Sequence, residues 1–197
     1  MYKSVLPGSV TLPSTHEAGM RITLGNRIPK NYFVTCGTGE SDITVHAGSY
    51  HLALRDAGIE MCNIMTYSSI LPSIAEETER AEGLVHGSVM ETIMAVASSE
   101  KGIRATAGII YSWLHDRRDS SRYGGLVCEY NGEKSIQETT DQLYASLQEL
   151  YENGFSDQYE LSDTRLITRS LVPEKNYGTA LVALCFTSYV FPVLGGG

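Results

Sequence analysis

Strand-like stretches, alternating or continuously apolar, dominate the chain, and only two segments repeat at helical spacing. A run rich in strand formers covers residues 31–36 and is expected to stop at Gly37-Thr38-Gly39. Residues 48–58 predict a helix with Leu52, Ala53 and Ala57 on its apolar side, Arg55 and Asp56 outside, and Gly58 as its terminating glycine. Residues 60–67 alternate and read as a strand ending at Ser68-Ser69, ahead of Ile70-Leu71-Pro72. The acidic segment 73–82, with Glu76, Glu77, Glu79 and Glu82, predicts an exposed loop or a turn of helix. Segments 84–97, 103–113 and 125–130 are strand candidates, the last two joined by a charged loop, 115–123. The clearest helix is 135–152. Ser135 and Glu138 have capping-box spacing, Ile136, Leu143, Leu147 and Leu150 follow at helical intervals, and Asn153-Gly154 ends it. Two more apolar strands cover 165–172 and 178–190. The first thirty residues, holding three of the six prolines, predict an irregular arm before a body at 31–194. There is no regular βα alternation and no internal repeat, so the fold class is α+β.

Composition narrows the function. A length of 197 residues with 42% apolar content suits one domain with a sizeable core. Fifteen basic against 23 acidic residues give a net charge of −8, a poor match to a nucleic-acid backbone and a better one to small, cationic molecules. The apolar stretch 179–194 is interrupted by Thr187, Ser188 and Pro192, too short to span a bilayer, and residues 1–10 lack the layout of a signal peptide. A cytoplasmic protein is expected, with no membrane and no nucleic-acid partner. The four cysteines are scattered without a C-x-x-C pair and read as small buried apolar residues.

Most familiar site signatures are missing: the chain has no Walker A sequence, G-x-G-x-x-G, G-x-S-x-G or H-E-x-x-H. His46 and His51 lack a third ligand at metal spacing, so no metal is expected. Residues 63–70 contain no lysine for a Schiff base with pyridoxal. One junction stands apart. In Tyr67-Ser-Ser-Ile-Leu-Pro72 a strand ends at a serine pair and a Pro-led turn begins. A serine there either satisfies backbone donors or brings its hydroxyl onto the preceding carbonyl, where a held and strained peptide can cleave itself.

Around that junction the sequence resembles the pyruvoyl-dependent arginine decarboxylase family. The resemblance is carried by Gly37-x-Gly-Glu-Ser41, Ala53-Leu54-x-x-Ala57-Gly58-Ile59, Asn63-Ile64, Tyr67-Ser-Ser-Ile-Leu-Pro72, His86-Gly-Ser-Val-Met-Glu-Thr-Ile-Met-Ala95 and Gly125-Leu-Val-Cys-Glu-Tyr130, in the family's order. The block at 86–95 is similar to the bacterial branch. The resemblance implies a sandwich of mainly antiparallel sheets flanked by helices, a single domain cleaved between Ser68 and Ser69 into a β chain, 1–68, and an α chain, 69–197. It implies that Ser69 attacks the Ser68 carbonyl, that elimination and hydrolysis convert Ser69 into a covalent pyruvoyl cofactor, and that Asn63 holds the scissile carbonyl. It further implies a Schiff base between that group and the substrate's α-amine, with Glu129 as proton donor. Glu40, Ser41, His51, Leu52, Leu54 and Ile70 are the implied pocket residues. The implied product is agmatine, for polyamine synthesis or acid resistance, and the implied assembly is a homotrimer with sites between subunits.

One position departs from the family pattern. Where members commonly carry an aspartate that grips the basic end of the substrate, this chain has His51. An imidazole does not replace the bidentate carboxylate–guanidinium pair. Either another acid (Asp42, Glu40 or Glu91) makes that contact, or the substrate is ornithine, lysine or another amino acid; an uncleaved, non-catalytic homologue is the remaining alternative.

Overall fold

The computed structural model describes residues 22–80 and 83–196. Contacts gather the chain into two units. In the smaller, β1 (Ile22–Leu24) pairs antiparallel with β13 (Val193–Gly196), and the Gly25 amide donates to Pro192 O at 2.7 Å. The larger spans Arg27–Val190. It begins with β2 (Ile28–Pro29), β3 (Asn31–Ser41), a wide π-type helical turn (Val45–Tyr50), α1 (His51–Ala57), β4 (Asn63–Thr66), β5 (Ile70–Pro72) and β6 (Glu76–Glu77). It continues through β7 (Val89–Glu100), β8 (Ala105–Asp116), β9 (Arg122–Gly132), α2 (Ile136–Gly154), β10 (Tyr159–Leu171), β11 (Tyr177–Phe186) and β12 (Tyr189–Val190).

Two sheets, ordered β4-β7-β11-β3-β6 and β10-β8-β9-β5, make up most of this unit. All their pairings are antiparallel except β3–β6 and β4–β7. Period-2 alternation sends Ile93, Ala95, Val182 and Leu184 from one sheet, and Ala107, Ile109, Trp113 and Val127 from the other, into a shared core. The opposite faces are covered by helices. Ala53, Leu54 and Ala57 of α1 pack on Phe33, Leu181 and Ala183, while Leu143 and Leu147 of α2 pack on Ile110, Leu114 and Leu126. This is the expected α+β sandwich with helical flanks. Strands β8 and β11 are buried on both faces, which is why they read as continuous apolar runs.

The capping box of α2 is present: Glu138 N donates to Ser135 Oγ at 3.3 Å and Ser135 N to Glu138 Oε2 at 2.9 Å. Gly58 closes α1 at φ 69°. Other expectations change. The predicted irregular arm lies outside the described residues at 1–21, and the rest supplies β1 and β2, with β2 paired to β12. Within the acidic segment, Glu76 and Glu77 form a short strand beside the start of β3, and Glu77 accepts hydrogen bonds from Tyr111 and Arg165. All four cysteines are free, with Cys62 and Cys185 buried. Among the described residues, no helix is long and apolar enough to cross a membrane.

The turn expected at Gly37-Thr38-Gly39 is absent, because β3 runs straight through it. The glycines serve helix contact instead. A Cβ on Gly37 would lie 2.2 Å from Ala53 O, and one on Gly39 would lie 2.3 Å from Ser49 O. Backbone of the helical segment therefore rests directly on strand backbone, and neither side can yield cheaply. Gly39→Ala is expected to destabilise the fold by about 2–3 kcal/mol in denaturant titration. Gly154→Ala is the neutral comparison, since a Cβ there meets nothing within 4 Å.

Candidate active site

Strand β4 is an edge of the five-stranded sheet and β5 an edge of the four-stranded one. The chain passes from one sheet to the other at Tyr67-Ser68-Ser69, between two short edge strands. Tyr67 N donates to Thr92 O at 2.7 Å, continuing the strand pairing, and Ile70 N donates back to Ser68 O at 2.9 Å. A three-residue bend therefore forms with Ser69 at its centre and the Ser68 carbonyl held by an amide. The Ser69 hydroxyl donates to Glu129 Oε1.

Glu129 stands on β9 opposite Ile109, on the same face as Val127, so its carboxyl enters the rim of the inter-sheet core. Burial pushes its pKa above the usual carboxylate range, while the Ser69 hydroxyl and a backbone donor pull it part of the way back. A second acid acts on the residue just before the junction. Glu91 of β7, 3% exposed, accepts hydrogen bonds from Tyr67 OH and from the Arg27 guanidinium, which lies 5.4 Å from the Tyr189 ring centre. Two carboxylates thus grip the bend, Glu91 through Tyr67 and Glu129 through Ser69. Their partners differ: Glu91 is paired with a cation, whereas Glu129 meets the Ser69 hydroxyl and a backbone donor and no described cation.

The remaining expected residues lie elsewhere. A cavity of about 590 Å³ beside α1 is lined by His46, Tyr50, His51, Leu54, Glu60 and Asn63, among others. Asn63 sits at the start of β4 and donates to Gly87 O at 2.8 Å, so within the protomer its amide is not on the Ser68 carbonyl. Four steps of extended chain at about 3.3 Å each, roughly 13 Å, separate it from Tyr67. Glu40 and Ser41 do not line this cavity. Glu40 accepts the amides of Glu174 and Lys175, both at 3.2 Å, and Ser41 accepts the Ile43 amide at 3.2 Å. Both sit at the end of β3, where a strand terminus must anchor the loops beside it. Leu52 lies over Gly39, and Ile70 is 69% exposed beside the bend. Ser69, Glu129 and Ile70 therefore gather at the junction and His51, Leu54 and Asn63 at the cavity, two half-sites at opposite ends of β4, while Glu40, Ser41 and Leu52 belong to neither.

These half-sites fall inside one family match. The model described as pyruvoyl-dependent arginine decarboxylase matches residues 31–191. The chain belongs to this family. A protein of that name from Methanopyrus kandleri is 33% identical over 79% of this chain and 95% of its own length. Another, from Chlamydia abortus, is 30% identical over 84% of this chain and 94% of its own. A third, from Methanocella arvoryzae, is 32% identical over 55% of this chain and 75% of its own.

The family name implies a pyruvoyl group, and the junction has the chemistry to form one. Position 69 carries a β-hydroxyl, a carboxylate accepts its hydrogen bond, and the preceding carbonyl is held by an amide. Sequence reasoning did not single out Tyr67, Arg27 or Glu60. The position of Tyr67 next to the serine pair was a usable signal; the other two become visible only when distant segments meet.

Proposed function

We propose that the chain is a proenzyme that cuts itself between Ser68 and Ser69, carries the resulting pyruvoyl group at position 69, and converts arginine to agmatine and carbon dioxide. The observation that carries this reading is the hydrogen bond from the Ser69 hydroxyl to Glu129 at the centre of the bend. Glu129 accepts the hydroxyl proton as Oγ bonds to the Ser68 carbonyl carbon, and the Ile70 amide stabilises charge on the carbonyl oxygen. The C–N bond between 68 and 69 breaks, its nitrogen takes a proton, and an ester links the two segments. Elimination frees residue 68 as a carboxylate and leaves dehydroalanine at 69; addition of water and loss of ammonia complete the group.

A pyruvoyl group supplies a ketone for the substrate's α-amine and an adjoining carbonyl that takes electron density as carbon dioxide leaves. Glu129 then has a second task. The Ser69 hydroxyl, which favoured its charged form, has been consumed, and burial remains. Glu129 Oε1 therefore holds a proton more readily than before, available to the carbon that lost carbon dioxide.

The reading includes a homotrimer of cleaved protomers, each site joining the junction of one subunit to the cavity of its neighbour, with Asn63 on the cavity side. It is supported by the separation of the two half-sites and by Met65, Val89 and Ile70, which are 53%, 58% and 69% exposed on β4, β7 and β5. The same chemistry on ornithine or lysine is a second reading, favoured by His51 in the cavity. Mass spectrometry of the folded protein is expected to give residues 1–68 and 69–197 as separate polypeptides, the second without a free amino terminus. An intact chain overturns the proposal. Carbon dioxide release from arginine, ornithine and lysine in parallel decides between the substrates.

A further inference from the structure

We infer that Glu60 is the specificity-determining residue that reads the positive end of the substrate. The inference rests on the reading of the cavity beside α1 as the substrate half-site, and it asks which group there can answer a cation. Glu60 is the one carboxylate among the residues lining that cavity. It is also uncommitted: no hydrogen bond or ion pair joins its carboxylate to another described residue. The other acids that could serve are engaged. Glu40 and Asp42 hold the amides of residues 174–176, Glu91 holds Arg27 and Tyr67, and Asp56 caps the Thr38 amide and faces Arg169 at 3.8 Å.

The position of Glu60 is set by backbone rather than by its own side chain. Gly58 turns the chain in the left-handed region, Ile59 N donates to Leu54 O at 2.9 Å, and Cys62 N donates to Ile59 O at 3.1 Å. Ile59 is fully buried, so the turn is pinned on both sides of Glu60. The half-buried carboxylate is thus presented from a fixed frame, which limits the entropy lost when a ligand pairs with it. His46 and Tyr50 stack at 5.8 Å between ring centres in the same cavity and add a flat aromatic face. A carboxylate in the same cavity as stacked rings suits a planar guanidinium, which can take two parallel hydrogen bonds at its edge and aromatic contact on its face. An ammonium group satisfies only part of that arrangement. His51, in the same lining, offers a guanidinium no negative charge, and Glu60 provides it.

The test compares wild type with Glu60→Gln, both fully cleaved on a denaturing gel, using arginine and its uncharged analogue citrulline as substrates and agmatine as a calorimetric ligand. Glu60→Gln is expected to raise KM for arginine and weaken agmatine binding by ~10- to 100-fold, the worth of one charge-assisted pair. The expected kcat stays within about threefold and the preference for arginine over citrulline narrows by the same ~10- to 100-fold, a split that a structural role would not give. Glu60→Asp should recover part of the loss. His51→Trp, which fills the cavity, separates the failures. If it abolishes turnover while Glu60→Gln changes neither KM nor agmatine binding, the assignment of Glu60 is wrong and the cavity stands. If neither variant alters turnover or binding, the cavity is not the substrate half-site and both readings fall.

Discussion

Ser69→Ala is expected to leave a single, uncut polypeptide of 197 residues with no decarboxylase activity. The reason is chemical. Cleavage needs a β-heteroatom that first attacks the Ser68 carbonyl and then departs, and alanine has none. The fold should survive the change, because Ser69 is half-buried and its side chain makes one hydrogen bond, to Glu129. Thermal unfolding close to wild type would therefore show that loss of cutting is loss of chemistry. Two companions sharpen the result. Ser69→Cys retains a β-nucleophile and should cut slowly, whereas Ser68→Ala keeps the attacked carbonyl and should still cut, since Ser68 contributes no side-chain atom to the reaction. Two fragments from Ser69→Ala, or an uncut Ser68→Ala that is folded, would contradict the assigned roles.

The elements that were legible in the sequence share a local cause. The capping box of α2 and the glycine closing α1 are interactions within a few residues, so their spacing announces them. Apolar runs announced β8 and β11, because strands buried on both faces need no alternation. The failures were tertiary. Gly37 and Gly39 look like a turn to any local rule, yet their purpose is to let α1 and the helical turn before it lie on β3, a contact made by residues 49–57. Glu76 and Glu77 are exposed, as their composition suggests, but the short strand they form and the pairing of Glu77 with Tyr111 and Arg165 depend on β3, β8 and β10 meeting there. The site divides in the same way. The serine pair is visible locally, and family resemblance supplied Glu129, sixty residues on, which the register of β9 brings to the Ser69 hydroxyl. No local signal links Glu60 to His51 across the turn that ends α1.

The two acids at the bend show why neighbours, more than burial alone, decide what a carboxyl can do. Glu91 is nearly inaccessible, but Arg27 compensates its charge, so its contribution is to fix Tyr67 and with it the approach to the junction. Removing Arg27 would strand a buried carboxylate. Glu129 has no cation among its described partners, and burial is the largest influence on it, raising its pKa. That one difference suits Glu91 to a structural role and Glu129 to the reactive role proposed for it.

Glu129→Gln should accordingly separate the two stages of the proposed reaction. An amide can still accept the Ser69 hydroxyl hydrogen bond, so the bend persists, but it cannot take up the proton; cutting is expected to slow without being lost. Turnover of arginine by the cut protein should fall by about 10²- to 10⁴-fold, the usual worth of a positioned general acid. The pH profile gives the sign. A proton donor works only while protonated, so wild-type kcat should fall as pH rises through the raised pKa of Glu129, above the range of an ordinary carboxylate. That alkaline limb should vanish in Glu129→Gln along with the rate. Stability follows the same direction: a carboxyl whose folded-state pKa is raised contributes stability fully present at low pH and lost as pH climbs through that value. A residual activity near wild type, or an alkaline limb that persists in Glu129→Gln, would assign the proton to another group and leave Glu129 as a partner of Ser69 in cutting alone.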